Sequence, residues 1–337
     1  MRIHATSGRT SKWRCSPTPR RPPPAIPSWR HFAARSVDMC RPPIAQRGIA
    51  FIVVIWVMVL LTVVLSGFVV VARTEALQSR FLLDSAQARY AAEAGISRVV
   101  WELHNTDPLT MWVPDGRAYD MDFAGAKVSI EVHDESGKVD INAADLETLK
   151  RMFTAVAVDA TEAEQLAAAV VDWRDVDDLL TVNGAEDGEY ESVGLAYGAA
   201  DAPFSTIGEL QQVLGMNYEI FEKLQNDITI YGGVGRPNAA FASALGLQTI
   251  DGIDPQQAEQ LLNARRQFRP GDAGSVGVTL PDGTPLLSAG GSGTYTVRSK
   301  ATLANGAWTL VDATIRLGGA PGARAYSILR WREGSAD

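Results

Sequence analysis

The strongest hydrophobic pattern of the chain is one uncharged run that extends from Ile49 to Ala72. None of its 24 residues is Asp, Glu, Lys, Arg or His. Because an α-helix rises about 1.5 Å per residue, the run predicts a helix of roughly 36 Å, which is long enough to cross a bilayer with some tilt. The apolar part of a cleaved secretory signal is shorter, about 7–15 residues, and ends at a small-residue cleavage site. The run therefore predicts a retained transmembrane helix over 49–72.

An amphipathic helical pattern follows the apolar run over residues 73–104. Apolar residues recur there at steps of three, four and seven, while charged residues occupy other faces. The apolar positions of this pattern are Leu77, Phe81, Ala88, Ala92, Ile96, Val99 and Leu103. Since no proline interrupts the pattern before Pro108, we predict one continuous helix whose second half packs against other parts of the protein.

Strand patterns and helical patterns share the rest of the chain. Helical periodicity extends over 143–226 and again over 239–268, and an acidic, glycine-containing loop interrupts the first block. Asn305-Gly306 lies between two alternating runs, which is a strong signal of a β-hairpin. Alternating, strand-like runs lie at 127–132, 295–303, 308–316 and 326–332, and a short extended segment at 139–142 follows a turn at Ser136-Gly137. The pattern therefore predicts strands on both sides of a mostly helical region.

The two helical blocks share a short internal repeat. In the first block, Asn142-Ala143-Ala144 is followed by Ala163-Glu164-Gln165-Leu166. In the second block, Asn238-Ala239-Ala240 is followed by Ala258-Glu259-Gln260-Leu261. Because both motifs recur in the same order, the repeat predicts two related helical hairpins.

Charge is distributed unevenly along the chain. Residues 1–48 contain ten Lys or Arg and one acid, Asp38, for a net charge of +9, whereas the whole chain carries −8. Residues 49–337 therefore carry −17, which argues against a nucleic-acid-binding surface spread over the whole molecule. Basic residues before the apolar run predict, by the positive-inside rule, a cytoplasmic N-terminus and an exported body.

The segment before the apolar run is predicted to be a leader, 1–48. Residues 1–38 are rich in Arg and Pro, so they are either disordered or lie upstream of a true start at Met39. Cys15 and Cys40 both precede the apolar run. The body after residue 48 therefore offers no cysteine for a disulfide or a thiolate metal site.

Catalytic motifs are missing from the sequence after residue 48. Only His104 and His133 occur there, far apart in the chain, and no nucleophile elbow, zinc-protease motif or phosphate loop is found. We therefore predict a protein that is not an enzyme, with no catalytic residues and no small-molecule substrate.

An acidic loop within 172–191 is the clearest candidate binding site. It combines eight acidic residues with Asn183 and Gly184, at spacings that differ from those of an EF-hand. Hard oxygen ligands at short spacing in a glycine-bearing loop suit Ca²⁺, which takes about six to eight oxygens. A solvated acidic loop is the alternative that composition leaves open. The acidic residues are Asp172, Asp175, Asp177, Asp178, Glu186, Asp187, Glu189 and Glu191.

A second candidate motif is the segment 250–266, which resembles a helix-hairpin-helix. In DNA-binding examples the glycine turn offers backbone N–H groups to a phosphate. Here Asp251 and Asp254 flank Gly252 in an acidic body, so packing within a protein is favoured over nucleic-acid binding.

Several motifs spread over residues 47 to 333 belong together. The first is Arg47-Gly48-Ile49 before the apolar helix. It is followed by Asp-Trp-Arg-Asp-Val-Asp-Asp at 172–178 and Pro-Phe-Ser-Thr-Ile-Gly-Glu-Leu at 203–210. Further motifs are Gly184-Ala185-Glu186, Tyr190, Tyr197, Pro237-Asn238-Ala239-Ala240 and Leu329-Arg330-Trp331-Arg332-Glu333. Together they resemble the K component of type II secretion systems, a family of minor pseudopilins.

The resemblance implies processing by a prepilin peptidase, with cleavage after Gly48 and N-methylation of Ile49. Most pseudopilins carry Glu five residues into the mature chain, and this chain has Val53 at that position. Because absence of that Glu is itself a hallmark of the K component, the departure agrees with the resemblance.

The resemblance also implies the fold class, which is α+β. A pilin-like long N-terminal helix would accompany a small antiparallel sheet formed by 105–142 and 269–337. A large, mostly helical insertion (SAM-like, or a helical hairpin) would occupy 143–268. Structural calcium is implied for the acidic loop, with ligand roles for Asp175, Asp177, Asp178 and Glu186.

The function implied is that of a minor pseudopilin at the pseudopilus tip, which primes pseudopilus assembly for export of folded proteins. Its partners would be the other minor pseudopilins, the major pseudopilin and the prepilin peptidase, without nucleic acid. It would cross the inner membrane once, with a cytoplasmic N-terminus and a periplasmic body. The alternatives are a minor pilin of a type IV pilus or DNA-uptake machine, or a membrane-anchored DNA receptor that uses 250–266.

Overall fold

The long N-terminal helix is the first element that the structure describes. The computed structural model describes residues 47–107, 109–267, 279–280, 283, 286, 291–318 and 324–334. Residues 1–46, which make up nearly all of the predicted leader, lie outside these ranges. The chain divides into two compact units, Met1–Gly67 and Phe68–Asp337, and each unit is described by itself.

Helix α1 spans Arg47–Leu103 without a break. Its apolar residues 49–72 are exposed throughout. Within the described ranges, α1 is the one helix that is long and apolar enough to cross a membrane. The predicted continuous helix is therefore confirmed, and its apolar run fits a single membrane anchor.

Antiparallel strands from both ends of the second unit form one sheet. In chain order the strands of this unit are β1 (Asp115–Phe123), β2 (Ala126–Asp134), β3 (Val139–Asp140), β4 (Ile228–Thr229), β5 (Thr294–Leu303), β6 (Trp308–Leu317) and β7 (Tyr326–Gly334). Among the described residues the main sheet has the order β1-β2-β5-β6-β7, and every neighbouring pair is antiparallel. The hairpin predicted at Asn305-Gly306 joins β5 to β6, with Gly306 at a φ of 87°.

The C-terminal part of α1 packs on one face of this sheet. Ala88, Ala92 and Ile96 are buried there against the inward side chains of β2, β5 and β6. Gly95 lies at the closest approach, since a Cβ at that position would overlap Ser299 Oγ on β5. The predicted second half of the helix, amphipathic and packed, is confirmed in this segment.

The helices of the insertion lie between β3 and β5. They are α2 (Leu146–Ala155), α3 (Ala160–Arg174), α4 (Asp187–Ser192), α5 (Tyr218–Leu224), α6 (Ala244–Gln248) and α7 (Pro255–Gln267), with a short 3-10 turn at Ile207–Gln212. Another short 3-10 turn, Glu135–Gly137, lies between β2 and β3. α2 pairs with α3, and α6 pairs with α7. The two helical hairpins predicted from the repeat are therefore confirmed, as is the α+β fold class. The predicted domain bounds stay predictions, because sheet and insertion fall in one unit.

Strands β1 and β4 had no counterpart among the predicted strands. In β1, Tyr119, Met121 and Phe123 alternate with Asp120 and Asp122, a short period-two run that the predicted strands did not include, and β1 lies at the edge of the sheet. Strand β3 lies within the extended segment predicted at 139–142 and pairs in parallel with β4, with Val139 opposite Ile228 and Asp140 opposite Thr229. Strand β4 has only two residues, which leave no periodicity that a sequence window can detect.

Candidate functional site

The acidic loop begins where α3 ends against a cluster of aromatic rings. The ring centroid of Trp173 lies 5.9 Å from that of Tyr190 and 6.1 Å from that of Phe204. Tyr197 meets Trp173 edge-on at 6.4 Å. These rings all lie in the stretch that resembles the K family. Their packing holds the end of α3 against α4 and the segment that follows it, so the loop is fixed at both ends.

Asp172 organises the interior of the loop. It is fully buried, and its Oδ2 accepts a hydrogen bond from the backbone N–H of Ala185 at 2.8 Å. The same carboxylate accepts from the N–H of Thr181 at 3.2 Å. Gly184 lies against it, and a Cβ there would overlap Asp172 Oδ2. Asp172 therefore holds the loop backbone with its own carboxylate oxygens.

The four predicted ligands fall into two pairs. Asp175 is half-buried and Glu186 is 8% exposed. Asp175 Oδ1 and Glu186 Oε1 are both buried and have no hydrogen-bond partner within the described part of the chain. Asp177 and Asp178 are exposed, and Asp177 Oδ1 accepts from the N–H of Leu179 at 3.0 Å. The structure thus supplies two unsatisfied buried oxygens and two carboxylates at the surface.

Negative charge accumulates around the unsatisfied oxygens. Burial raises the pKa of Glu186 to about 7, and neighbouring carboxylates add to the rise. Those neighbours are Asp172, Asp175, Asp201 and Asp178. Burial likewise raises the pKa of Asp175 above its usual range, with further contributions from Asp177, Asp172 and Asp201, while Arg174 acts in the opposite direction. Without a cation, these acids therefore destabilise one another when ionised.

Asp201 is a member of this acidic group that the sequence did not single out. It lies ten residues beyond the predicted loop, 172–191, with a positive φ of 49°. Contacts on both sides of Asp201 hold its segment near Asp175 and Glu186: the N–H of Ala199 donates to Asp187 Oδ1 at 3.1 Å, and Phe204 packs on Trp173. No spacing rule connects Asp201 to the other acids, although its position just before the Pro203-Phe204 motif is a signal that it belongs to the same structural unit.

These observations fit a hard divalent cation such as Ca²⁺. A buried carboxylate oxygen without a partner is costly, and Ca²⁺ coordinates carboxylate oxygens. Within the described ranges, no three Asp, Glu, His or Cys side chains stand close enough to form a metal-binding group. The acidic side chains therefore influence one another electrostatically, but they do not form a complete coordination shell. The ligand set Asp175, Asp177, Asp178 and Glu186 stays a prediction.

The predicted processing positions lie at the beginning of α1. Ile49 is 68% exposed and Val53 is 53% exposed. Since residues four apart share one face of a helix, Ile49 and Val53 lie on the same side of α1. Gly48 is part of the first turn. The roles of Gly48, Ile49 and Val53 stay predictions.

The other candidates from the sequence, His104, His133 and the segment 250–266, have structural positions in the fold. His104 Nδ1 lies 2.7 Å from the carbonyl oxygen of Val100 just beyond the end of α1, and His133 lies on β2. The segment 250–266 corresponds to the turn that follows α6 and to most of α7. Its Asp251 forms an ion pair of 3.0 Å with Arg151 on α2. That contact agrees with the predicted packing role of this hairpin.

Comparison with known proteins connects these features to one family. Residues 129–233 match the family model described as "Type II secretion system (T2SS), protein K". This segment contains the acidic loop, the aromatic cluster and Asp201. The resemblance to the K family that the motifs indicated is therefore confirmed over this part of the chain.

Curated relatives agree with that match. The chain is 24% identical over 205 residues to the type II secretion system protein K of Pectobacterium carotovorum subsp. carotovorum, covering 53% of this chain and 61% of the relative. It is 24% identical over 243 residues to the protein K of Pseudomonas aeruginosa, covering 65% of this chain and 72% of the relative. The chain thus spans about three fifths of the length of the Pectobacterium relative.

A solved structure shares the fold. It is the crystal structure of the GspK-GspI-GspJ complex from the type 2 secretion system of enterotoxigenic Escherichia coli. The likeness has a TM-score of 0.50 at 18% sequence identity, and covers 79% of this chain and 99% of the other. At that identity the likeness shows the fold alone.

Proposed function

We propose that this chain is a minor pseudopilin of a type II secretion system, which primes assembly of a short pseudopilus for export of folded proteins. The observation that carries the proposal is the presence of the K-family segment, residues 129–233, in one chain with the apolar helix α1. A single apolar helix with a folded body suits a subunit that starts in a membrane and later joins a fibre. Such a subunit does mechanical work and needs no enzymatic activity.

Processing at the start of α1 is part of the proposal. A prepilin peptidase would cleave after Gly48, and Ile49 would become the N-methylated first residue. Before assembly the protein would cross the inner membrane once, with its basic N-terminus in the cytoplasm and its acidic body in the periplasm. The exposed apolar surface of residues 49–72 supports this anchor.

The position of Val53 supports a place at the tip. In a helical stack of pilins, the buried N-terminal amine of one subunit needs an anionic partner, which a Glu of a neighbour supplies. A subunit with Val53 has no carboxylate to offer at that position. It is therefore tolerated where no further subunit sits above it.

The partners proposed are other minor pseudopilins first and the major pseudopilin below them. The solved GspK is in a complex with GspI and GspJ. In this chain, the side of α1 that does not contact the sheet exposes Tyr90 and Trp101 by 66% and 61%. Aromatic side chains so exposed along one helix suit packing against partner helices.

Calcium in the acidic loop is proposed as a structural cofactor. Asp175 and Glu186 would contribute their unsatisfied buried oxygens, and Asp177 and Asp178 would contribute surface carboxylates. The cation would supply positive charge that offsets the mutual repulsion of the acids. The chain's own contribution is to fix the backbone of the loop, through Asp172 and the aromatic cluster, so that these carboxylates belong to one ordered loop.

Two measurements test the proposed function. The first is the mass of the mature N-terminus after co-expression of the full chain with a prepilin peptidase, where a chain that begins at methylated Ile49 is expected. The second is secretion of folded proteins by a strain of the source organism that lacks this gene, where secretion should stop and return with the intact gene. An uncleaved chain, together with unchanged secretion, would remove the pseudopilin assignment. It would leave a single-span anchored domain, for which salt-dependent DNA binding becomes the next experiment.

A further inference from the structure

Two Asn-Gly pairs occur in the sequence, Asn183-Gly184 and Asn305-Gly306. Asparagine before glycine is especially open to deamidation, because the backbone nitrogen of a residue without a side chain reaches the asparagine amide with little hindrance. Both pairs lie in turns, the first in the acidic loop and the second between β5 and β6. One reactive dipeptide therefore occurs in two different environments of the same fold.

The two asparagine side chains are held in a similar way. Asn183 Nδ2 donates to Glu164 Oε1 on α3 at 3.2 Å. Asn305 Nδ2 donates to Asp84 Oδ2 on α1 at 2.8 Å. The N–H of each following glycine donates to the carbonyl oxygen three residues before it, at 2.8 Å in the first pair and 3.0 Å in the second. In both turns these bonds must open before the glycine nitrogen can attack the amide.

The glycine of the first pair is enclosed, whereas that of the second is open. Gly184 lies against the buried carboxylate of Asp172, where a Cβ would overlap Asp172 Oδ2. The same carboxylate accepts from the N–H of Ala185, the next residue along the chain, at 2.8 Å. Around Gly306, by contrast, no atom of the described chain lies within 4 Å of an added Cβ. The backbone at Gly184 is therefore fixed by a buried group, and the backbone at Gly306 has space to rotate.

The contact between Asn305 and Asp84 lies where α1 begins to pack on the sheet. Residues 68–83 of α1 are exposed, and Asp84 is the first residue after them that is partly buried. One turn later, Gln87 Nε2 donates to the carbonyl oxygen of Ala124 in the β1–β2 turn at 2.8 Å. Two side chains thus attach the beginning of the packed segment to the tips of two hairpins. Opening of this end of α1 releases the Asn305 amide.

We propose that Asn305 is a deamidation site and that Asn183, in the same dipeptide, is protected by the fold. When the contact with Asp84 opens, the Gly306 nitrogen gives up its proton and attacks Asn305 Cγ. The new C–N bond closes a five-membered succinimide, the bond from Cγ to Nδ2 breaks, and the amide nitrogen leaves with that proton as ammonia. Water then opens the ring at either carbonyl, which gives aspartate or isoaspartate at position 305. No oxidant or reductant takes part, and water is the one co-reactant.

Deamidation replaces the hydrogen bond to Asp84 by a repulsion. A carboxylate at position 305 has no N–H to donate, and it faces the Asp84 carboxylate at the place where the amide stood. Isoaspartate also adds a methylene group to the backbone of the turn. The product therefore loosens the beginning of the packed segment of α1. The reaction requires water and this turn alone, so it is independent of the secretion role proposed above.

Peptide mapping by mass spectrometry tests the proposal on the full chain in detergent micelles. The protein is incubated at mildly alkaline pH and digested at intervals, and deamidation is measured at both pairs in the same digest. We expect Asn305 to deamidate at least several-fold faster than Asn183 in the folded protein. In denaturing urea the two rates should be similar, because the local sequence then decides them. Equal rates in the folded protein, faster reaction of Asn183, or no reaction of Asn305 while the denatured chain reacts would overturn the proposal.

Variants of Asp84 test whether its contact controls the reaction. Asp84→Ala removes the acceptor and should speed deamidation of Asn305 several-fold, with the rate at Asn183 unchanged. Asp84→Asn is the matched control, because its amide oxygen still accepts from Asn305 Nδ2, and its rate should stay close to that of the original chain. An unchanged rate in Asp84→Ala, or an equal rise at both pairs, would show that this contact does not protect Asn305.

The effect of the product is measured separately by thermal unfolding. Asn305→Asp imitates the aspartate product and should lower the unfolding midpoint. Asp84→Asn added to Asn305→Asp should restore most of the loss, because an amide at position 84 then donates to the carboxylate at position 305. An unfolding midpoint of Asn305→Asp equal to that of the original chain would contradict the predicted repulsion.

Discussion

Ala157 and Gly252 adopt the same left-handed backbone conformation at the tips of the two helical hairpins, with φ values of 66° and 76°. Ala157 lies between α2 and α3, and Gly252 lies between α6 and α7. Two residues after each tip, an aspartate caps the following helix. Asp159 Oδ1 accepts from the N–H of Thr161 at 2.9 Å, and Asp254 Oδ1 accepts from the N–H of Gln257 at 2.8 Å. The two tips are therefore built alike, although only one has a glycine.

The shared tip geometry predicts opposite effects for exchanges at the two positions. Ala157→Gly should raise the free energy of unfolding by about 0.5–1 kcal/mol, because the left-handed region costs an L-residue about 1–2 kcal/mol and glycine regains only part of that as chain entropy. Gly252→Ala should lower it by about 1 kcal/mol. Urea denaturation of the full chain measures both. Ala155→Gly, in the last turn of α2, is the matched control and should be destabilising. Equal destabilisation by Ala157→Gly and Ala155→Gly would contradict the argument.

The two hairpins also share a contact that the sequence repeat did not predict. Arg174 at the end of α3 donates to the carbonyl groups of Ile141 and Ala144, beside the first Asn-Ala-Ala motif. Arg265 on α7 donates to the carbonyl groups of Ala239 and Ala242, beside the second motif. The repeat predicted two hairpins. It did not predict these arginine contacts, because each arginine stands at a different distance from its motif.

Other features depend on tertiary contacts that no local pattern encodes. The long helix, the strands β2 and β5–β7 and the Asn305-Gly306 hairpin follow from periodicity and turn chemistry. Asp201 lies near the acidic loop through tertiary contacts of its segment, such as the packing of Phe204 on Trp173. The unsatisfied oxygens of Asp175 and Glu186 likewise arise from burial, which composition does not reveal. The acidic loop was therefore predictable as a region, and its internal organisation was not.

Substitution of Gly95 by alanine should destabilise the packing of α1 on the sheet, and a second substitution, Ser299→Ala, should restore most of the stability. A Cβ at Gly95 would overlap Ser299 Oγ and lie 3.2 Å from side-chain atoms of Val128 and Ile130. Overpacking typically costs about 1–3 kcal/mol, and the helix propensity of alanine returns up to about 1 kcal/mol. Gly95→Ala should therefore lower the free energy of unfolding by about 1–2 kcal/mol.

Ser299→Ala is the rescue substitution for Gly95→Ala, and Gly67→Ala is the control. Ser299 Oγ is buried without a hydrogen-bond partner among the described residues, so Ser299→Ala should cost little and should restore most of the stability of Gly95→Ala. Gly67→Ala, also on α1, has no atom within 4 Å of the added Cβ and should not destabilise the protein. Additive losses in the Gly95/Ser299 double variant would show that the contact with Ser299 is not the cause.

The acidic loop predicts stabilisation by Ca²⁺ that increases with pH. With the pKa of Glu186 raised to about 7, the cation-free folded state binds a proton that the unfolded state has released above its ordinary pKa, near 4.5. The free energy of unfolding without Ca²⁺ should therefore fall as pH rises from about 4.5 to 7. Calcium competes with this proton, so its effect should be larger at pH 8 than at pH 5.5. At about one hundred times its dissociation constant, Ca²⁺ should add about 2.7 kcal/mol.

Two Glu→Gln variants in the same loop test the role of Glu186. Glu186→Gln should remove most of the stabilisation by Ca²⁺, and it should also flatten the pH dependence of the cation-free protein. Glu191→Gln is the control, because Glu191 is exposed and does not contribute to the raised pKa of Glu186. Thermal unfolding with CaCl₂ and with EGTA, at both pH values, measures these effects. An unchanged calcium response in Glu186→Gln would remove Glu186 from the ligand set.

The environment of Glu135, at the junction of sheet and insertion, predicts the opposite pH dependence of the free energy of unfolding. Burial alone would raise the pKa of its carboxyl, but Lys138 and the hydroxyl groups of Thr229 and Thr296 outweigh burial, and the pKa lies below its usual range. Lys138 Nζ is 2.6 Å from Glu135 Oε1, and Thr296 Oγ1 donates to the same oxygen at 2.7 Å. A lowered pKa in the folded state stabilises the protein above the unfolded pKa, so this contribution should disappear as pH falls below about 4.5.

Substitution of Glu135 should expose the cost of an uncompensated buried charge. Glu135→Gln leaves the Lys138 ammonium, whose side chain is 14% exposed, without its carboxylate, and should lower the free energy of unfolding by about 3 kcal/mol at pH 7. Lys138→Met added to Glu135→Gln should recover part of the loss, because it removes the unpaired charge. Glu147→Gln is the control, since that carboxylate is 63% exposed in its pair with Arg151 and should change stability by less than about 1 kcal/mol. If Glu135→Gln behaves like Glu147→Gln at pH 7, the buried pair does not contribute to the junction between β4 and β5.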